Sequence, residues 1–211
     1  MASDTIESLR AQLLDAALPH IPFDGWTVEA LERGAADVGL DPLAVVRAFS
    51  GGSTDMIRFH STRTDAGMLK ILAQRNLIEM RVRDRIAAGV RVRLENLAAE
   101  REVMRCALSF LAMPQNAVLA MQCLYKTVDA IWHAAGDTAT DWNFYSKRGL
   151  LAAVYATTVL YWLDDDSEGC TETWAFLDRR ISNILKVPKA AARCREMIPN
   201  PFRLFRHRRA A

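Results

Sequence analysis

The side chains that could bind a metal or act as a nucleophile are spread along this chain without a recognised spacing. The four cysteines are separated by 17, 47 and 24 positions, and none of these gaps is typical of a metal ligand set or a redox motif. A di-iron site in a helical bundle needs glutamate three residues before histidine, and no histidine here has one. The sequence also lacks a glycine-rich phosphate loop and a nucleophile motif. It therefore predicts a protein that is not an enzyme and needs no metal or cofactor.

One acidic cluster, Asp164–Asp165–Asp166, follows an apolar run from Gly149 to Leu163. Its simplest interpretation is a solvated loop leading into a helix that begins near Ser167 or Glu168, and a metal site is the alternative. The fifteen-residue run is too short for a membrane span, which needs about twenty residues. It predicts a buried helix.

Apolar residues recur at helical spacing along most of the chain, so helices must position any functional site. We predict short helices near the N-terminus and long helices at roughly 54–78, 80–98, 100–112, 115–135, 141–163 and 168–186. Thr27 and the pair Asp41–Pro42 are typical helix starts. The stripe of the second long helix consists of Val82, Ile86, Val90, Leu94 and Leu97.

The first sixty residues have the pattern of a helix-turn-helix, in the order of signals that TetR-type repressors show. They nevertheless hold four cations and nine carboxylates, a net charge of −5. The segment in the position of a recognition helix, residues 42–50, offers only Arg47 to DNA phosphates. This favours a degenerate helix-turn-helix, with an effector-responsive transcriptional repressor as the alternative function.

The C-terminal end has the opposite charge, because residues 186–211 hold eight cations and one carboxylate. Arginines interleaved with bulky apolar side chains are typical of a segment that lies on an anionic membrane. RNA binding is the alternative. The predicted membrane residues are Met197, Ile198, Phe202, Arg203, Leu204, Phe205 and Arg206.

Residues 110–180 carry a more specific pattern. It runs from Phe110–Leu111 through Val128–Asp129–Ala130–Ile131–Trp132 and the stretch 136–148 (GDTATDWNFYSKR) to Thr173–Trp174–Ala175–Phe176–Leu177. This run resembles the coenzyme Q (ubiquinone) biosynthesis accessory family, with Phe144 where that family usually has tryptophan. Weaker agreement extends over nearly the whole chain.

The resemblance implies an all-α, TetR-repressor-like fold of about nine helices with a C-terminal amphipathic segment, forming a homodimer. It also implies an isoprenoid or phospholipid ligand held between helices, and methionine and aromatic side chains suit such a pocket. Ordinary core packing is the alternative for each residue. The predicted lipid-binding residues are Met104, Leu108, Met121, Leu124, Tyr125, Trp132, Leu150, Leu151, Val154, Tyr155, Thr158 and Trp162.

The same family docks a partner hydroxylase through an aromatic pair, which here corresponds to Phe144 and Tyr145. Asp141 and Arg148 flank the pair and would form a charged rim around it. Packing of the first helical turn against the core is the alternative interpretation.

Together these patterns predict three regions: a degenerate helix-turn-helix over 1–60, a lipid-binding and dimerisation domain over 61–187, and a basic membrane-binding tail over 188–211. The resemblance implies that the protein presents a quinone precursor to a demethoxyubiquinone hydroxylase at the membrane, and the acidic front predicts no nucleic-acid partner. The N-terminal residues resemble neither a secretory signal nor a transit peptide. We therefore expect a bacterial cytoplasmic protein, peripheral at the inner face of the membrane.

Overall fold

The computed structural model describes residues 2–136 and 142–183, and the surroundings of side chains over 5–136 and 146–183. Within these residues the chain forms ten α-helices and no strand, which confirms the predicted all-α class. The helices are α1 (Ala2–Ala17), α2 (Ile21–Asp24), α3 (Val28–Asp37), α4 (Pro42–Ala48), α5 (Gly52–Ala73), α6 (Val82–Asn96), α7 (Arg101–Leu111), α8 (Ala117–Ala134), α9 (Trp142–Leu163) and α10 (171–183).

The starts of the helix-turn-helix elements are those that the sequence predicts. The Thr27 side chain accepts a hydrogen bond from the Ala30 amide at 3.2 Å, and Asp41 Oδ1 accepts one from the Leu43 amide at 2.8 Å. Each oxygen satisfies an amide that the first turn of a helix leaves without a partner. Thr27 and Asp41 therefore fix where α3 and α4 begin.

One apolar core joins the front helices to the rest of the chain. It contains buried residues from α1, α3, α4 and the first half of α5, together with Val103 of α7 and Leu119 of α8. Trp26 is buried and its Nε1 donates to the Val103 carbonyl at 3.2 Å. Since α5 runs continuously past residue 60, the front helices are anchored on α5, α7 and α8.

A second core contains buried residues of α5, α6, α8, α9 and α10, together with Met104 of α7. The predicted α6 stripe is buried at Ile86, Val90, Leu94 and Leu97, whereas Val82, the first residue of the helix, is exposed. Gly89 permits close packing of α6 on α8, because a Cβ atom there would lie 2.9 Å from Cγ2 of Ile131.

The acidic cluster differs from its prediction as a solvated loop. Asp165 is buried, and its Oδ1 accepts a hydrogen bond from the Ser167 amide at 2.8 Å while Oδ2 accepts one from the Thr173 amide at 2.9 Å. Burial opposes the charged form, but the hydrogen bonds from Ser167 and Thr173 lower the pKa of Asp165 far below its ordinary value. Asp165 therefore caps the start of α10, and only Asp164 and Asp166 are solvated.

No single helix among the described residues is long and apolar enough to cross a membrane. The segments Ala98–Leu111 and Pro114–Ala134 pass that test together by length and composition, with a bend of 97° between them.

Candidate functional site

A cavity of about 340 Å³ lies between α5, α6, α7, α8 and α9. Most of its wall is apolar, and its apolar lining residues are Ile57, Met104, Ala107, Leu108, Leu111, Ala112, Ala120, Leu124, Ala156, Val159 and Leu160. Ala112 and Leu160 are exposed to solvent, whereas Met104 and Val159 are buried. The cavity therefore has an apolar mouth, and its volume falls within the range of pockets that hold small molecules.

The deep end of the cavity is polar and is organised by Arg93 of α6. This side chain is 4% exposed. Its Nε donates to Asp65 Oδ1 at 2.7 Å, one terminal nitrogen donates to the Tyr155 hydroxyl, and the other donates to Ser61 Oγ at 3.3 Å. The Thr127 hydroxyl also donates to Asp65, at 3.0 and 3.1 Å to its two oxygens. One buried ion pair thus connects α5, α6, α8 and α9.

The surroundings of this ion pair determine its protonation. Burial alone would lower the pKa of Arg93, but its electrostatic interactions with Tyr155 and Asp65 and the hydrogen bond to Asp65 raise it above its ordinary value. Burial raises the pKa of the Tyr155 hydroxyl, and so does the charge of Asp65. At physiological pH, Arg93 is therefore a cation and Tyr155 is a neutral phenol that keeps its proton.

A second polar pair lies beside the first. His60 is buried, and its Nε2 is 2.7 Å from Glu100 Oε2. The hydrogen bond from His60 lowers the pKa of Glu100 despite partial burial. Burial raises the pKa of the nearby Cys123 thiol, so this cysteine stays protonated and is a poor nucleophile. Among the described residues there is no group of His, Cys, Asp and Glu side chains that could hold a metal ion.

Residues 117–188 match the model of the COQ9 family. In an alignment of 192 residues that covers 88% of the chain, it is 35% identical to the mitochondrial ubiquinone biosynthesis protein COQ9 of Rattus norvegicus. It is 33% identical to the Homo sapiens protein of the same name over an equal share. The chain is a relative of the COQ9 proteins. The family resemblance predicted from residues 110–180 is thereby confirmed.

The chain spans about three fifths of the length of these COQ9 relatives, 61% of the rat protein and 60% of the human protein. Similarity extends to Drosophila melanogaster COQ9, which is 32% identical over 187 residues and 86% of this chain. The matches extend well beyond residues 117–188, because they cover 86–88% of the chain.

The fold is that of a TetR-type regulator. A crystal structure of the TetR transcriptional regulator from Nitrosomonas europaea superposes with a TM-score of 0.68, covering 84% of this chain and 98% of the regulator. The two sequences are 21% identical, so this likeness shows the fold alone. The predicted TetR-like architecture is confirmed.

Four of the twelve residues predicted to bind lipid line the cavity of this COQ9 relative: Met104, Leu108, Leu124 and Tyr155. Met121 and Tyr125 lie instead on the outer face of α8, where they are 64% and 46% exposed. The other six are outside the cavity wall, and all but half-buried Leu150 are buried in the core: Trp132, Leu150, Leu151, Val154, Thr158 and Trp162.

The rotation of α9 explains this difference. Residues 151, 154, 158 and 162 follow each other at helical spacing and face the second core. Tyr155, Ala156, Val159 and Leu160 lie on the adjoining side, about 100° further round the helix, and face the cavity. Both sides of α9 are apolar, so the apolar character of the sequence does not show which side faces the cavity.

The predicted docking residues lie largely outside the described side chains. Asp141 is outside the described residues, and for Phe144 and Tyr145 only the backbone, within α9, is described. Arg148 is buried, and its Nε donates to Asp129 Oδ1 at 2.7 Å. It therefore belongs to the α8–α9 packing and not to an exposed rim. The seven predicted membrane residues between 197 and 206 also lie outside the described residues.

The polar end of the cavity was not predicted from the sequence, although its signal is present. Asp65 follows Ile57 and Ser61 at helical spacing, and Arg93 follows Ile86 and Gly89 in the same way. A charged residue at a buried position of an amphipathic helix needs a partner of opposite charge. The sequence therefore signals that each charge has a buried partner, but it does not show that the two residues pair with each other.

Proposed function

We propose that this protein is a non-catalytic lipid-binding accessory protein of ubiquinone biosynthesis. It holds an isoprenoid lipid or quinone precursor in the cavity and presents it to a demethoxyubiquinone hydroxylase at the membrane surface. The observation that carries the proposal is the apolar-walled cavity in a chain whose relatives are ubiquinone biosynthesis proteins. A cavity with an exposed apolar mouth suits a ligand with a long apolar chain.

The route from cavity to partner includes residues whose side chains the structure does not describe. Phe144 and Tyr145 of α9 remain the proposed contacts with the hydroxylase, and the basic segment 188–211 remains the proposed membrane contact. Their roles come from the family resemblance and from the charge of the segment. In this proposal the helix-turn-helix is retained for its fold.

A transcriptional repressor is the alternative function, and the surface of α4 argues against it. Leu43 and Val46 of α4 are each 64% exposed, where a DNA reader would present polar or basic side chains. Arg47 is the one cation of this helix, in a front region of net charge −5. The sequence-independent attraction to phosphates is therefore weak.

The test is to fill the cavity. Ala156 lines the cavity, and Ala156→Phe would occupy the space that the lipid needs. Ala66→Phe, on an exposed position of α5, is the matched control because it adds the same side chain outside the cavity. Mass spectrometry of lipid extracted from the purified proteins should find a long-chain lipid with the native protein and the control, and little with Ala156→Phe.

Ubiquinone output of cells that depend on this protein should follow the same order as the extracted lipid. A native protein without extractable lipid would contradict the proposal. So would an Ala156→Phe protein that is folded and lipid-free but supports full ubiquinone output.

A further inference from the structure

The Tyr155 hydroxyl at the polar end of the cavity can donate a further hydrogen bond. The Tyr155 oxygen accepts a hydrogen bond from Arg93, so its own proton remains available to an acceptor. No described residue accepts that proton within hydrogen-bond distance, although Tyr155 is 7% exposed and lines the cavity. Buried donors in folded proteins nearly always have a partner. This donor is therefore available to an acceptor on a molecule that occupies the cavity.

The charges around the cavity restrict what that molecule can be. The positive charge of Arg93 is already compensated by Asp65 at 2.7 Å, and the other basic lining residue, His60, pairs with Glu100. An anionic head group would therefore find no free cation among the lining residues that the structure describes. An anion beside Arg93 would add a second negative charge next to the buried Asp65 carboxylate, and burying this uncompensated charge is unfavourable.

We propose that Tyr155, oriented by Arg93 and Asp65, is the residue that selects the head group, and that it selects a neutral head with a hydrogen-bond-accepting oxygen. A ring carbonyl or a phenol oxygen has this chemistry, whereas a phosphate or carboxylate does not. This inference rests on the proposed lipid-binding function. It adds that the head lies at the deep end beside Tyr155 and that the apolar chain leaves past Leu160 and Ala112.

The first experiment compares three probes that share one saturated tail: a short-tailed ubiquinone, the alkylbenzene without ring oxygens, and the alkyl phosphate. Native protein should bind the ubiquinone roughly three- to tenfold more tightly than the alkylbenzene, as expected of one net hydrogen bond. The alkyl phosphate should bind more weakly than the ubiquinone. Tighter binding of the alkyl phosphate would overturn the inference.

The variant Tyr155→Phe removes the donor and keeps the ring. It should bind ubiquinone and alkylbenzene equally, with the affinity for alkylbenzene unchanged. Tyr161→Phe is the matched control on α9, because the Tyr161 hydroxyl contacts Glu172 and lies outside the cavity wall. An equal loss of affinity for both probes in Tyr155→Phe would assign Tyr155 a packing role only and overturn the inference.

A spectroscopic measurement on the native protein does not depend on the folding of any variant. Infrared spectra of bound ubiquinone with isotope-labelled carbonyls should show a carbonyl band shifted to lower frequency than in hydrocarbon solvent. A band at the hydrocarbon position would overturn the inference, since water or nothing would then occupy the Tyr155 donor. Failure of all three probes to bind would instead contradict the proposed function itself.

Discussion

Two buried carboxylates, Asp65 and Asp165, show how single residues hold this fold together by different means. Asp65 is balanced by the guanidinium of Arg93, whereas Asp165 is stabilised by the amides and hydroxyls of Ser167 and Thr173. The first links helices that are distant in sequence, and the second ends a loop and starts the next helix. Both would be costly to bury without these partners.

At the residue scale, we predict that Asp165→Ala lowers the free energy of unfolding by about 1–2 kcal/mol at neutral pH, because it removes the cap of α10. The hydrogen bonds lower the pKa of Asp165, so its contribution is complete above the ordinary carboxyl pKa and is lost as the pH falls below it. The difference between native protein and variant should therefore shrink below about pH 4. Urea unfolding at several pH values measures it.

Asp166→Ala is the control for that experiment, since the Asp166 side chain is exposed. Its unfolding free energy should differ from that of the native protein by less than about 0.5 kcal/mol at neutral pH. A difference for Asp165→Ala that stays constant down to low pH would show that packing, and not charge, is responsible for the effect.

At the scale of the helices, two glycines permit close packing because they have no Cβ atom. Each of them lies against a different neighbouring helix. Gly34 of α3 lies against α1, where a Cβ would be 2.6 Å from the Ala16 carbonyl carbon and the Ala17 nitrogen. Gly89 of α6 lies against the side chain of Ile131 in α8 and not against backbone atoms. Backbone atoms cannot move aside as a side chain can, so Gly34 is the stricter of the two.

We predict that Gly34→Ala destabilises the protein although alanine favours helices more than glycine does. The added methyl group must push α1 away from α3, and overpacking of this kind costs about 1–3 kcal/mol. Gly67→Ala in α5 is the control, because its Cβ would meet Asn96 at an ordinary 3.5 Å. The free energy of unfolding of this variant should rise by up to about 1 kcal/mol, because alanine has the higher helix propensity. In thermal unfolding, the melting temperature of Gly34→Ala should be lower than that of the native protein and that of Gly67→Ala should be higher. A shift in the same direction for both variants would contradict the packing argument.

At the scale of the whole molecule, an exposed apolar face and a charge asymmetry suggest two kinds of assembly. Val118, Met121 and Tyr125 of α8 and Leu160 of α9 are 46–70% exposed, which is unusual for a set of large apolar side chains. The negative front and the basic end of the chain differ in net charge by twelve units between residues 1–60 and 186–211. We therefore expect the first feature to contact another protein chain and the second to contact an anionic surface.

We predict that the face of α8 forms the homodimer. Met121→Glu should convert the protein to monomers, because a carboxylate would have to be buried at the interface without a partner. Val46→Glu is the matched control, since Val46 of α4 has the same 64% exposure as Met121. Light scattering after size-exclusion chromatography gives the mass of each protein. A monomeric native protein, or a dimer that survives Met121→Glu, would contradict this prediction.

Removal of residues 188–211 should weaken binding to vesicles that contain anionic lipids. Each cation near such a surface contributes about 1 kcal/mol at physiological salt. Helical content should stay close to that of the native protein, because the described cores lie within residues 13–181. Flotation with anionic and with neutral vesicles measures the effect, and equal flotation of both proteins on anionic vesicles would contradict it.

Local patterns in the sequence were sufficient for the helices, their caps and the TetR-like order of elements. Periodicity and capping depend on residues a few positions apart. The caps Thr27 and Asp41 and the buried stripe from Ile86 to Leu97 could therefore be predicted without knowledge of tertiary contacts. The family resemblance likewise depends on the order of residues along the chain. Which side of α9 faces the cavity could not be predicted, because both sides are apolar.

Only the tertiary structure determined the contacts between helices distant in sequence. Asp65 and Arg93 are 28 residues apart, and Arg93 and Tyr155 are 62 apart, so no local pattern pairs them. Asp165 looked like one of three equivalent acids, and it became distinct only when α10 brought Thr173 to its second oxygen. Burial converts such contacts from weak surface interactions into strong constraints, because an unpaired charge or donor inside the fold has no water to replace its partner.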